Sequence, residues 1–259
     1  GWMRAAGMVT SVDAVATLRG HRAADVGSGK RLLLGSHIDT VIDAGRLDGC
    51  LGVVAAIVAV EELAKRGEVL PFAVDILAFG DEEGVRFPTA LSSSSAVSGT
   101  YRRDWLEARD RDGVTLAEAL TAFGCDPAKI DEARIDPAGV LGWLEIHIEQ
   151  GPVLEHWGLP LGVVTSIAGQ SRFSFTLQGQ AGHAGTVPMD LRRDALTGLA
   201  EIALTVERVG RQGTNGLVAT VGKVEVKPGA GNTVPGRVEA TLDIRAGADA
   251  PRLVAIDRI

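Results

Sequence analysis

The sequence predicts an α/β fold in two parts, a mostly parallel sheet followed by a smaller α+β domain. Apolar runs of strand length alternate with helical stretches in the first part, the pattern of βαβ units with helices on both sheet faces. Beyond Gly169 the texture changes to Phe173-x-Phe175-x-Leu177, the alternation of a strand buried on one side only. The length of 259 residues, at about 150 per domain, asks for two domains rather than one. We place the boundary near Ser166, giving domains of 1–165 and 166–259.

Taken in order, Arg31 to Leu34 reads as a buried strand opening into Gly35-Ser36-His37, and the carboxyl end of such a strand is where α/β proteins bind ligands. Asp48 and Gly49 precede a helix that runs to about Arg66 and is stopped by Gly67. Phe72 to Phe79 forms the next strand and delivers Asp81, Glu82 and Glu83 to the same sheet edge. Thr115-x-x-Glu118 is a capping box opening a short helix that Gly124 closes, so 101–140 reads as surface helices with little chemistry. Leu144 to Glu149 alternates as a strand, with Leu144, Ile146 and Ile148 on one side and Glu145, His147 and Glu149 on the other. A glycine-rich turn, a helix from about Asp190 to Val209 and strands at 216–226 and 236–245 complete the second domain. The chain opens on Gly1-Trp2-Met3 and ends at Arg258-Ile259 within a helical pattern, so both domains are expected to be truncated.

Composition excludes several functions. Lys plus Arg at 26 against Asp plus Glu at 33 leaves a net charge of −7, which argues against a nucleic-acid partner. The longest apolar run, Leu51 to Val60, falls far short of the ~18 residues that span a bilayer and is followed by Glu61 and Glu62, so no membrane anchor is expected. Cys50 and Cys125 lack metal or redox spacing and no leader-like segment opens the chain, which points to the cytoplasm.

The polar residues gathered at the sheet edge are those of a catalytic two-metal site, which needs a bridging carboxylate, imidazole and carboxylate ligands, and a free carboxylate to move a proton. His37 and Asp39 alternate at a strand end, so that His37 can bind metal while Asp39 accepts from its ring and fixes the tautomer. Asp48 either caps the helix that follows it or lies between two cations. Of the neighbouring Glu82 and Glu83, one can bind metal and the other act as base, or both can be solvated loop carboxylates. His147 is a ligand or a satisfied structural histidine. What favours the functional reading is that all of them fall at strand ends or a helix start on one edge.

Six segments carry a family resemblance: GSHIDT (35–40), RLDGCLGVVAA (46–56), GDEEGVRFP (80–88), LEIHIEQGPVLE (144–155), GQAGHAGTVPMDLRRDA (179–195) and GNTVPGRVEATLDIR (231–245). In this order they resemble the allantoate amidohydrolase and N-carbamoyl-L-amino-acid hydrolase family, which includes ureidopropionases, within the zinc aminoacylase and carboxypeptidase superfamily. The resemblance implies a catalytic α/β domain with an inserted lid that forms a homodimer interface. It implies two divalent ions, zinc or else manganese, cobalt or nickel, with His37, Asp48 and His147 on the first, Asp48 bridging and Glu83 on the second. Glu82 is then the general base, Asn232 and Arg245 grip the substrate carboxylate, and Gln150 faces the substrate. His183 reaches a neighbouring subunit's site and steadies the oxyanion. The implied reaction is hydrolysis of a linear C–N bond in a carboxylate-bearing ureido compound.

On local grounds alone, Asn232 is an ordinary turn residue, Arg245 pairs with Asp243, and His183 suits an exposed turn. His21 and His156 carry no motif and read as surface or packing residues. The family's second metal is completed by a histidine from a glycine-rich segment beyond Ile259, which this chain does not contain, and SSSSAVSGT stands where relatives carry a Gly-Ser-Arg segment. The alternatives are an aminoacylase or dipeptidase of the same superfamily, or a non-catalytic binding or dimerisation protein.

Overall fold

The computed structural model describes residues 1–27 and 29–259 and divides into two compact units, Gly1–Gly158 and Leu159–Ile259. The division precedes Ser166 because 159–168 forms no helix or strand and runs directly into the first strand of the second unit.

The first unit opens with helix α1 (Trp2–Ala5) and strands β1 (Val9–Val12) and β2 (Leu18–Arg22), continues through β3 (Arg31–His37), α2 (Cys50–Lys65) and β4 (Ala73–Phe79), then α3 (Ser92–Ser98) and α4 (Leu116–Phe123), and ends with β5 (Val140–Leu144) and α5 (Val153–Trp157). The strands lie in the order β1-β2-β4-β3-β5. β3 is parallel to β4 and β5, whereas β2 is antiparallel to both β1 and β4. The sheet is therefore mixed rather than mostly parallel. β1 and β2 escape the sequence pattern because they are short and carry Arg19, His21 and Arg22 within them. Their turn is closed by Asp13, whose Oδ1 accepts from the backbone N–H of Val15 at 3.0 Å and of Thr17 at 2.9 Å.

The near-continuous apolar run of β4 is the mark of a strand covered on both faces, and six of its seven residues are buried. On one face α2 packs Val53, Ala56, Ile57 and Val60 against Val74, Ile76 and Ala78. Asp75 emerges on the other face, where His21 Nδ1 lies 2.5 Å and Arg31 Nη1 3.0 Å from its carboxylate; His21 is thus the partner of a buried acid. α4 has the capping box and left-handed Gly124 that its sequence predicts.

The expected strand at 144–149 is corrected: β5 leaves the sheet after Leu144, and Ile146 is exposed. The reason lies in α2. Its Gly52 touches the Ile146 carbonyl, so the chain bends over the helix start instead of continuing beside β3; a Cβ on Gly52 would collide with that oxygen and sit 2.7 Å from Ser36 Cβ.

The second unit is a one-sided sheet of β6 (Gly169–Gln178), β8 (Val218–Lys227) and β10 (Arg237–Ala246), order β6-β10-β8, all antiparallel. β7 (Gly182–His183) pairs separately with β9 (Thr233–Val234). Helices α6 (Ala195–Arg211) and α7 (Asp249–Arg258) cover one face, where Leu199, Val206, Val209 and Ala255 meet alternate residues of β10. α6 starts later than Asp190: Met189–Leu191 is a single 3-10 turn, and Asp194 caps the helix by accepting from Leu196 and Thr197.

Replacing Gly52 with alanine gains helix propensity of about 1 kcal/mol yet forces the 146 carbonyl outward, an overpacking cost of about 1–3 kcal/mol. Gly52→Ala is expected to lower the denaturant midpoint; a raised midpoint would show that the close approach is absent.

Candidate metal centre

His37, the last residue of β3, is 5% exposed and Asp48 is 7% exposed. Asp48 does not cap α2, whose N-terminal cap is Gly49 and which has no side-chain cap bond. Gly49 has φ 70°, and a Cβ there would penetrate the His37 ring, so the turn that presents Asp48 is built for glycine.

The hydrogen bonds of the two rings assign their tautomers. His37 Nδ1 lies 2.7 Å from the Asp39 carbonyl and His147 Nδ1 lies 2.8 Å from the Ile148 carbonyl. A carbonyl only accepts, so each Nδ1 carries a proton, and in the neutral rings each Nε2 presents a lone pair. These lone pairs meet: Nε2 to Nε2 is 3.2 Å, and Asp48 Oδ1 is 3.3 Å from His147 Nε2 and 3.9 Å from His37 Nε2. Two imidazole nitrogens and a carboxylate converging without a proton between them repel one another, and a divalent cation is the group that relieves this. The donor set fits such an ion, and His37, Glu82 and Glu83 form a second group of donors within 4.8 Å of one another.

Asp39 acts differently from its sequence expectation. Its carbonyl, not its carboxylate, orients His37; the carboxylate accepts from the backbone N–H of Glu82 at 3.1 Å and Glu83 at 3.0 Å. The carboxylate is turned away because Oδ1 remains 3.9 Å from His37 Nδ1 while two unpaired amides lie closer. The acidic loop is gripped from its other end as well. Ser93 Oγ donates to the Gly80 carbonyl at 2.6 Å, and Leu91 N donates to the Glu82 carbonyl at 2.8 Å. Glu82 and Glu83 are therefore part-buried rather than solvated. Burial pushes the Glu82 carboxyl above its ordinary range against the opposing influence of His37, and Glu83, Asp39 and Glu145 add to the rise.

Glu82, Glu83, His37, His147 and Gln150 line one cavity of about 560 Å³, whose far wall is apolar, with Leu33, Phe79 and Trp143. Gln150, expected to face the substrate, spends its amide on both Asp48 oxygens at 3.1 Å each. Glu145 also lines the cavity; the alternation of 144–149 puts it on the side of His147, but nothing in its sequence context distinguishes it from Glu149.

In the second unit, His183 stands opposite Thr233 in the β7–β9 pair, and Ala184 N donates to the Asn232 carbonyl at 2.9 Å, so His183 and Asn232 are neighbours. His183 Nδ1 accepts from Gly185 N at 3.0 Å. Arg245 is not brought to them. It lies eight residues along β10 from Arg237, which adjoins β9, a span of roughly 26 Å at 3.3 Å per residue. There its guanidinium binds Asp243 through bonds of 2.8 and 3.1 Å, as its sequence alternative anticipates.

A mixed α/β unit with imidazole and carboxylate donors converging at its sheet edge defines a candidate site for a divalent metal ion. The chain belongs to peptidase family M20/M25/M40, whose family model matches residues 33–252. It is 42% identical to an allantoate deiminase of Arabidopsis thaliana over 97% of its length and 52% of that relative's. It is also 42% identical to an N-carbamoyl-L-amino acid amidohydrolase of Geobacillus stearothermophilus, over 94% of its length and 59% of that relative's. A crystal structure of a hydantoinase/carbamoylase family amidase from Burkholderia ambifaria superposes with a TM-score of 0.88 at 36% identity, covering 99% of this chain and 62% of the other. The chain thus spans little more than half the length of the curated relatives it matches. Among the described residues no helix is long and apolar enough to cross a membrane.

Beside the donor set, burial raises the Asp81 carboxyl from 3.8 to about 6 in spite of its bond from Ser92. Because the folded-state value is the higher one, Asp81 favours the fold most below pH 3.8, and that contribution is lost as pH rises through 6. With metal chelated, Asp81→Asn is therefore expected to raise the melting temperature more at pH 7.5 than at pH 4.5. Equal shifts at the two pH values would contradict a buried, reluctant carboxylate.

Proposed function

We propose that this chain provides the metal centre and substrate clamp of a hydrolase that cleaves a linear C–N bond in a carboxylate-bearing ureido compound, such as allantoate or an N-carbamoyl-L-amino acid. The observation that carries the reading is the meeting of the His37 and His147 Nε2 lone pairs with Asp48 Oδ1, beside a half-buried Glu82. The names of the relatives support the substrate class. His37, Asp48 and His147 would hold one divalent ion, and Glu83 would contribute to a second. Imidazole with carboxylate suits zinc, and also manganese, cobalt or nickel. When bound, the ions supply Lewis acidity that polarises the scissile carbonyl and acidifies water.

Glu82 removes a proton from the attacking water and returns it to the departing nitrogen as the C–N bond breaks. Its carboxyl, lifted by burial, is the better matched to both transfers near neutral pH. Asp39 holds Glu82 at its post through the backbone. Arg245 and Asn232 orient the substrate carboxylate, and His183 stabilises the oxyanion.

The separation within the second unit bears on assembly. One copy does not bring Arg245 to His183 and Asn232, so we assign them to opposite copies of a homodimer joined through this unit, each site taking Arg245 from one chain and His183 with Asn232 from the other.

Glu82→Gln is expected to lower kcat by about 10²–10⁴-fold with metal content unchanged by elemental analysis, while His147→Ala loses the metal itself. Turnover retained by Glu82→Gln, or a folded protein that takes up no metal, would sink the assignment. His183→Ala and Arg245→Ala should each be inactive alone. When the two are mixed and allowed to exchange subunits, random pairing restores roughly a quarter of wild-type activity, since half the dimers are mixed and half their sites intact; no recovery would place the three residues in one copy.

A further inference from the structure

We infer that Glu145 selects a ureido group over an acyl group, its carboxylate accepting the N–H bonds of the substrate's terminal NH2. The inference rests on the hydrolase reading above and names what that site recognises. Glu145 follows the last residue of β5 and lines the same cavity as Glu82, Glu83 and His147. It belongs to neither group of donors that can hold a metal. Its direction is set from below: Ser36, fully buried and adjacent to His37, donates from Oγ to Glu145 Oε1 at 2.6 Å. Among the described residues that is the one hydrogen bond its carboxylate makes, which leaves Oε2 able to accept from a ligand.

Of the other polar groups in or beside the cavity most are committed, the Gln150 side-chain oxygen excepted. The Asp39 carboxylate holds the Glu82 and Glu83 amides, and Asp48 is shared between Gln150 and the donor set. Ser94 and Ser98 give their protons to the Leu91 and Ser95 carbonyls. Glu83 serves the metal and Glu82 the proton. Glu145 is the carboxylate left with no task, yet it is tethered beside the reacting centre.

A ureido group, R–NH–CO–NH2, differs from an N-acetyl group, R–NH–CO–CH3, by an NH2 in place of a methyl. Once water is excluded, two N–H donors need acceptors, and an ionised carboxylate only accepts. The same carboxylate facing a methyl loses its hydration and gains no partner, so one residue both attracts the ureido group and repels the acyl one. Sites built around a substrate N–H can reject the analogue lacking it by about 10⁴-fold.

The test compares kcat/KM for the N-carbamoyl and N-acetyl derivatives of one L-amino acid, with metal content measured on every sample. Glu145→Ala is expected to lose about 100-fold or more on the carbamoyl compound and little or nothing on the acetyl one. Glu145→Gln, which keeps the shape but turns one acceptor into a donor, should move the ratio the same way, and it stands in if the alanine variant does not fold. Ser36→Ala, which frees the carboxylate without removing it, should move the ratio less. Equal losses on both substrates with metal retained would make Glu145 a general support and overturn the inference, as would loss of metal from the variant. A wild-type protein that holds metal but hydrolyses neither compound would overturn the hydrolase reading and this inference with it.

Discussion

Everything at the sheet edge answers to one electrostatic constraint: the Nε2 atoms of His37 and His147 lie 3.2 Å apart, with Asp48 Oδ1 3.3 Å from the second and 3.9 Å from the first. Such an arrangement persists only if the surrounding chain over-determines it. Both rings have their Nδ1 protons tied to backbone carbonyls, so neither can rotate its lone pair away without leaving a carbonyl unpaired. Asp48 is pinned by both oxygens to the Gln150 amide.

That over-determination comes from close packing around the start of α2. Gly49 lies against the face of His37, and Gly52 lets the Ile146 carbonyl and Ser36 approach the helix. Three segments far apart in sequence, the end of β3, the start of α2 and the residues after β5, are thereby locked to one another. Asp39 links a fourth, since the residue whose carbonyl orients His37 also holds the acidic loop through two backbone amides. The acidic loop and the imidazole are thereby linked through a single residue.

The second unit follows a looser logic. Its sheet is covered by α6 and α7 on one face and carries charged residues on the other, among them Arg172, Asp243 and Arg245, which form a surface ion-pair group. Its polar residues of interest sit at two ends of one long antiparallel strand pairing.

Local chemistry was legible without the fold. Thr115 with Glu118 and Gly124 marked a helix in full, because caps act over four residues. The apolar runs of β3 and β4 declared buried strands, and His37, Asp48, Glu82 and Glu83 could be assigned to one edge because strand ends and helix starts are set by the nearby chain, whereas His147 was assigned there by a strand that ends before it. Less was legible where short polar segments take their structure from partners. β1 and β2 are strands because β4 offers an edge to pair with, and 145–149 is not a strand because Gly52 draws it over α2. The sequence by itself therefore determined which residues could gather at the sheet edge and, apart from the segment holding His147, which elements present them, since these depend on propensity, periodicity and capping. Only the tertiary structure decided which atom of Asp39 meets His37, what Gln150 binds, that Glu145 shares the cavity, and that Arg245 lies far from His183, because hydrogen-bond partners and distances between segments remote in sequence depend on packing that no local pattern encodes.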